Sequence, residues 1–321
     1  MARRERFEEL EQNVGALEGR DGWLFLSGDS NDVMAQHTGR YEPDREWSRD
    51  WSRILRRRRR LMRRLGAEWV CMVVPDKEAV YADKLPPELV PVPRRPVHRL
   101  LEIAAAEGVE IVYPLAELRA ARTPEAPVYT ATDSHWNARG AYIAYRLVCE
   151  HLRRRGIALD AVDEQDVSWF ETELVGDLGI KFEPPRGGTT CLGRIRSPRA
   201  RLVRDNQIRV TGKRLEFERD RDELPRCVVF GTSYATWCLP FFAESFGRLS
   251  FVHTTSLDRR TLHAERPHAV ITMTAERGLR RIPVDRGAAA ALAAVEDRKR
   301  SDGVLAPPRE LDHLGLPPRA S

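Results

Sequence analysis

The chain of 321 residues lacks any apolar run of about eighteen residues, so nothing in it reads as a membrane-spanning helix. Its start, Met1-Ala2-Arg3-Arg4-Glu5-Arg6, continues into polar residues without an apolar stretch, so no signal peptide is expected and a cytoplasmic location is the expectation. Cysteine is scarce: Cys71, Cys149, Cys191, Cys227 and Cys238 are odd in number and show no C-x-x-C spacing. That excludes a disulfide framework and a thiolate zinc site, and fits a reducing compartment. Cys71, Cys149 and Cys227 fall inside apolar runs, where a free thiol behaves as a small hydrophobe. No metal is expected.

Charge of one sign is also nearly lacking in excess. Fifty-three basic residues face 48 acidic ones, a net +5, so the high pI of about 9.1 reflects arginine usage more than a polycation. Arg56 to Arg60, with Arg63 and Arg64, form the one dense basic run, and no aromatics interleave with it for base stacking. It reads as the solvated face of a helix over 43–65 whose other face carries Trp47, Trp51, Ile54, Leu55, Leu61, Met62 and Leu65. A nucleic-acid partner is not expected, and no internal repeats are present.

What is there is a chain 42% hydrophobic, enough for a sizeable core, in which strands alternate with helices. A charged helix is expected over 5–18, then a glycine turn into a short strand at Trp23-Leu24-Phe25-Leu26. Further strands are expected over 68–74, 109–113, 226–230, 249–253 and 269–273, and helices over 97–107, 114–122, 138–155, 235–246 and 288–300. Residues 176–193, rich in Gly, Pro and Thr, read as a long surface loop. Residues 199–218 read as a small β insertion with Leu202, Ile208, Val210, Leu215 and Phe217 inward. The pattern argues an α/β fold, a three-layer sandwich on a mostly parallel central sheet. One domain is expected over 1–300, with a mobile tail over 301–321.

Two stretches carry chemistry. Thr132-Asp133-Ser134-His135-Trp136-Asn137 places a carboxylate and an imidazole two residues apart before a helix, where Asp133 can orient His135 as a general base. Alternatively, Thr132 or Asp133 is simply that helix's N-cap, and His135 a hydrogen-bonded core residue. Val228-Val229-Phe230-Gly231-Thr232-Ser233-Tyr234 runs a strand through a tight turn into a helix, which can present the Ser233 hydroxyl with its own N–H at a helix N-terminus. Taken together they supply nucleophile, base and orienter from separate elements. Gly28-Asp29-Ser30 superficially resembles a nucleophile motif but is not followed by a helical pattern. Asp76 and Lys77, at the carboxyl end of the 68–74 strand, are pocket or oxyanion candidates or else an ordinary polar cap; Thr232, Tyr234 and Trp136 are further substrate-binding or oxyanion candidates, Tyr234 and Trp136 otherwise packing or pocket-wall residues.

These stretches, with Gly19-Arg20-Asp21-Gly22-Trp23-Leu24-Phe25, Val74-Pro75-Asp76-Lys77 and Gly176-Asp177-Leu178, resemble in order the blocks of the SGNH-hydrolase-like domain of the alginate O-acetyltransferase family. The similarity covers roughly residues 15 to 280. It implies a Ser233-His135-Asp133 triad and acyl-serine chemistry on a hydroxyl of a sugar or sugar-like acceptor. The expected partners are a carbohydrate or hydroxylated small molecule and an acyl donor such as acetyl-CoA or an acyl-carrier protein. No bound cofactor is expected. An esterase with the same triad, or a non-catalytic carbohydrate-binding protein, are the other readings.

Overall fold

The structure, a computed structural model, describes residues 15–305. Eleven strands are formed among these residues: β1 (Ala16–Glu18), β2 (Leu24–Leu26), β3 (Glu68–Val74), β4 (Ile111–Val112), β5 (Val167–Leu174), β6 (Gly188–Ile195), β7 (Arg201–Asp205), β8 (Arg214–Glu218), β9 (Arg226–Gly231), β10 (Arg248–His253) and β11 (Ala269–Ala275). Seven build the central sheet, in the order β4-β3-β11-β9-β10-β8-β7. The first five run parallel, while β8 pairs antiparallel with β10 and β7 antiparallel with β8.

The period of two in the strands decides which helix packs where. Val70, Met72, Val74, Val229, Ile271 and Met273 point to one face, under helices Ala138–Arg154 and Ser233–Ser245. Cys71 and Val73 point to the other, under Trp47, Trp51, Ile54 and Leu55 of helix Arg45–Leu65 and Val97 and Leu100 of helix Pro96–Ala106. Val228, Phe230, Val252 and Val270 extend that second face onto Met62 and Leu262. The result is the expected three-layer α/β arrangement. Among the described residues no helix is long and apolar enough to cross a membrane.

Several expectations are corrected. Of the helix expected over 5–18, residues 5–14 lie outside the described residues, and Ala16–Glu18 is a strand pairing with Leu24–Leu26. Burying Ala16 and Leu17 there wins over local helix propensity, and a turn carrying Asp21 at φ 55° reverses the chain. The loop expected over 176–193 is shorter, because 188–195 forms β6 and closes a hairpin with β5. The β insertion expected before β9 is present as the antiparallel pair β7–β8, which extends the main sheet. Val210 is not inward but 53% exposed, at a turn with φ 54°. Helix Ala138–Arg154 is capped by neither Thr132 nor Asp133 but by Asn137, whose Oδ1 accepts from the N–H groups of Arg139 and Gly140. Asp133 is thereby left for other work.

In the arginine run, Arg56, Arg57, Arg59 and Arg60 are exposed as expected. Arg58 is buried, forking onto Asp285 at 2.7 and 2.9 Å and donating to Thr255 O. Of the tail, 306–321 lie outside the described residues.

Candidate active site

The carboxyl ends of β3, β9 and β11 converge, which is where open α/β sheets bring polar loops together. β9 ends at Gly231, where a side chain would stand 2.5 Å from Ala235 Cβ, so only glycine lets strand and helix meet so tightly. Thr232, extended, caps the turn, and Ser233 is the first residue of helix Ser233–Ser245. Its hydroxyl and amide therefore both face the same end of the sheet.

The 130–137 segment is held against this turn from several sides. Tyr129 and Trp136 form a β-bridge that closes it into a loop, and Asn137 N–H donates to Val128 O at 3.1 Å. Gly140 is required where the helix leaves, since a Cβ would lie 2.3 Å from Val128 O. The Lys77 ammonium is buried beneath and donates to the carbonyls of Thr130, Ala131 and Asp133 at 3.1, 3.1 and 2.6 Å. Burial lowers its pKa to about 8, against the pull of Glu78 and Asp133. From above, the amides of Leu178 and Gly179 donate to Thr132 O.

The consequence is a linear hydrogen-bonded series. His135 Nδ1 lies 2.7 Å from Asp133 Oδ1, and Nε2 lies 2.6 Å from Ser233 Oγ. Asp133 accepts at Nδ1, which sets the tautomer and leaves Nε2 to accept from the serine hydroxyl. Asp133 also accepts from the amides of His135 and Asp177, at 2.8 and 3.0 Å. Burial alone would disfavour its charge, but His135 and these donors hold the carboxyl well below the usual range. Burial works against a charged imidazole as well; the charge and hydrogen bond of Asp133, with the charge of Asp177, outweigh it and raise the His135 pKa.

Tyr234 ties the two halves of the series. Its backbone carbonyl accepts from Trp136 Nε1 at 3.2 Å, and its hydroxyl donates to Ser134 O at 2.6 Å. The bonds thus fall on either side of His135, whose ring sits 4.7 Å from the tyrosine ring. Behind it, Arg277 donates to Tyr234 Oη at 2.9 Å and to Asp76 Oδ1 at 3.0 Å.

The other candidates are therefore beneath the site, not at its surface. Asp76, Lys77, Trp136 and Tyr234 are all 0–1% exposed, and their polar atoms are turned inward onto protein partners. Thr232 is half-buried, with its hydroxyl oxygen enclosed. Gly28-Asp29-Ser30 is, against expectation, followed by a helix, the short Val33–His37, whose N-cap is Asp32; Asp29 Oδ1 accepts from Val33 N–H at 2.8 Å, and Ser30 is exposed. Two residues were missed by pattern alone. Asp177 approaches His135 Nδ1 to 3.7 Å, and Arg277 sits between Tyr234 and Asp76. The Gly176-Asp177-Leu178 block was a signal for the first; for Arg277 the signal was its place among the polar residues that follow β11. Asp133, His135 and Asp177 lie close enough to hold a cation, yet both imidazole nitrogens already have partners, so the donor set is poor for one.

This architecture is that of the SGNH-hydrolase class of α/β enzymes. Residues 16–243 match the family described as "SGNH hydrolase-like domain, acetyltransferase AlgX", and the chain belongs to that family. No curated protein matches it in sequence. Similar solved structures include Bacillus cereus PatB1, at TM-score 0.63 and 15% identity, covering 82% of this chain and 96% of that one. The O-acetyltransferase domain of Pseudomonas putida AlgJ is similar at TM-score 0.58 and 17% identity, covering 88% and 99%. A DHHW family protein from Eubacterium siraeum follows at TM-score 0.57 and 15% identity, covering 87% and 98%. At these identities the likeness concerns the fold.

Proposed function

We propose that the protein is an O-acyltransferase, O-acetyl in its usual reaction, that works through an acyl-serine at Ser233. The observation that carries this reading is the His135 bridge, 2.6 Å to Ser233 Oγ and 2.7 Å to Asp133 Oδ1. Family membership supports the acetyl group.

In the first half-reaction His135 Nε2 takes the Ser233 proton as Oγ bonds to the acyl carbon. The oxyanion that forms is met by the Ser233 N–H in the first turn of helix Ser233–Ser245. The imidazolium then protonates the departing thiol or alcohol, and Asp133 stabilises the cation throughout. In the second half-reaction an acceptor hydroxyl gives its proton to His135 Nε2 and attacks the acyl-serine carbonyl, and the imidazolium returns that proton to Ser233 Oγ as it leaves. The acceptor is a carbohydrate or other hydroxylated small molecule, and the donor an acyl thioester such as acetyl-CoA or an acyl-carrier protein. Hydrolysis is the same cycle with water as acceptor, and Asp177, 43% exposed beside the imidazole, supports access of water from that side.

Intact-mass spectrometry after incubation with p-nitrophenyl acetate tests the proposal. An acetyl adduct mapped to Ser233 and absent from Ser233→Ala is expected. Chasing the adduct with sugar alcohols in competition with water assigns transfer or hydrolysis. Equal ester turnover by both proteins without an adduct overturns the reading.

A further inference from the structure

Beside the Asp133–His135–Ser233 series stands a second carboxylate that the series does not need. Asp177 comes from the loop between β5 and β6, 43 residues after Ser134 in the chain. Its Oδ1 accepts from Ser134 N–H and its Oδ2 from Ser134 Oγ, both at 2.6 Å. Its own N–H donates to Asp133 Oδ2 at 3.0 Å. Oδ2 then stands 3.7 Å from His135 Nδ1, just beyond hydrogen-bond length. Its approach is built into the backbone: a Cβ on Gly176 would lie 2.3 Å from Thr132 O and 2.6 Å from Asp133 Cβ, so only glycine brings the loop in so close.

Two carboxylates this near each other repel unless donors or a cation lie among them. Here the donors are the amides of Ser134, His135 and Asp177 and the Ser134 hydroxyl; the buried Lys77 ammonium lies beneath, 2.6 Å from Asp133 O, and the imidazolium is the cation that catalysis adds against Asp133 Oδ1. The other groups facing His135 are the Ser134 hydroxyl, 3.5 Å from Nδ1 and itself donating to Asp177, Ser233 at Nε2, the Tyr234 ring, and the more distant Arg277, whose positive charge opposes a charged imidazole.

We propose that Asp177 is a positioning residue of the acyl-transfer site: it latches Ser134, and with Asp133 it holds the catalytic imidazolium between two carboxylates. This rests on the triad reading above and assigns it a fourth member. The attraction from Asp177 works against the burial that disfavours a charged imidazole.

The test is an NMR titration of the His135 imidazole, assigned by its loss in His135→Ala, in wild type and Asp177→Asn. Asparagine keeps an acceptor for Ser134 but removes the charge. The expected result is a fall of about tenfold in the proton affinity of His135. The acid limb of Ser233 acetylation should move to lower pH with it. An unmoved midpoint, with acetylation lowered equally at every pH, would make Asp177 a structural latch alone and overturn the proposal. Should Asp177→Asn not fold, the Asp177 carboxyl carbon in wild type must show a step at the His135 midpoint; its absence overturns the proposal equally. If wild type forms no Ser233 adduct, the functional reading fails while the titration still decides the role of Asp177.

Discussion

His135 Nε2 and Ser233 Oγ meet at 2.6 Å although 98 residues separate them in the chain. Neither group has the other as a local neighbour; Tyr234, bonded to Trp136 on one side and to Ser134 on the other, sets the distance. Replacing His135 by Ala should lower Ser233 acetylation by about 10²–10⁴-fold, the usual worth of a positioned general base. Single-turnover acetylation read by mass spectrometry checks this, and a loss under threefold would remove His135 from the mechanism.

Acetylation should depend on pH with one sign. In the proposed mechanism the neutral imidazole is the base, and its pKa is raised in the folded protein. The rate should therefore fall as pH drops through that raised midpoint and reach a plateau above it. A rate–pH profile of p-nitrophenyl acetate burst amplitude and rate checks the direction; a rate that rises towards acid would contradict it.

Lys77→Met should destabilise the fold by about 2–4 kcal/mol, because three carbonyls of the 130–133 loop lose a charged donor in a buried place. Thermal or urea unfolding measures it. The linkage sign is also defined. Folded Lys77 releases its proton at about 8, below its unfolded value, so the unfolded chain binds more protons between those values. The contribution of this group to stability should rise with pH across that window, and Lys77→Met should remove that part of the pH dependence.

Gly176→Ala should displace the loop that carries Asp177, since the new methyl would stand 2.3 Å from the backbone oxygen of Thr132. A loss of about 1–3 kcal/mol and a drop of about tenfold or more in acetylation rate are expected, because strain falls on the residue next to Asp133. A melt and a burst assay on the same preparation separate the two effects. A wild-type rate in this variant would show that the approach of the loop is not needed.

Asp76→Ala should cost about 3–5 kcal/mol, leaving the Arg277 guanidinium without its carboxylate in the interior. The double variant Asp76→Ala with Arg277→Met should recover part of that loss. A double-mutant cycle in urea reads the coupling, and additivity of the two single losses would refute it.

Much of this fold is legible in one dimension. The β3, β9 and β11 runs and the Arg45–Leu65 stripe announce themselves by period, and Gly231-Thr232-Ser233 and Asp133-x-His135 carry their chemistry in their residue types. Where the reading failed, long-range packing overrode local pattern. Ala16–Glu18 is a strand because Leu24–Leu26 lies opposite, and 188–195 is a strand because β5 is there to pair with it. Asp76 and Lys77 look like loop residues at a strand end, and only the chain folded above them turns them into buried braces.

By itself, then, the sequence determined the class: an alternating α/β chain with a Gly-Thr-Ser turn between strand and helix and an Asp-x-His pair before another helix. Those properties follow from side-chain chemistry and from periods of two and of three to four residues, which any short window contains. Tertiary structure alone decided that Asn137 caps the helix and so frees Asp133, that Tyr234 bolts the two halves together, and that Asp177 reaches the imidazole. The relations made by Asp177 and Tyr234 join residues 42 to 100 positions apart, from Asp177–His135 to Tyr234–Ser134, and only folding gives them a distance.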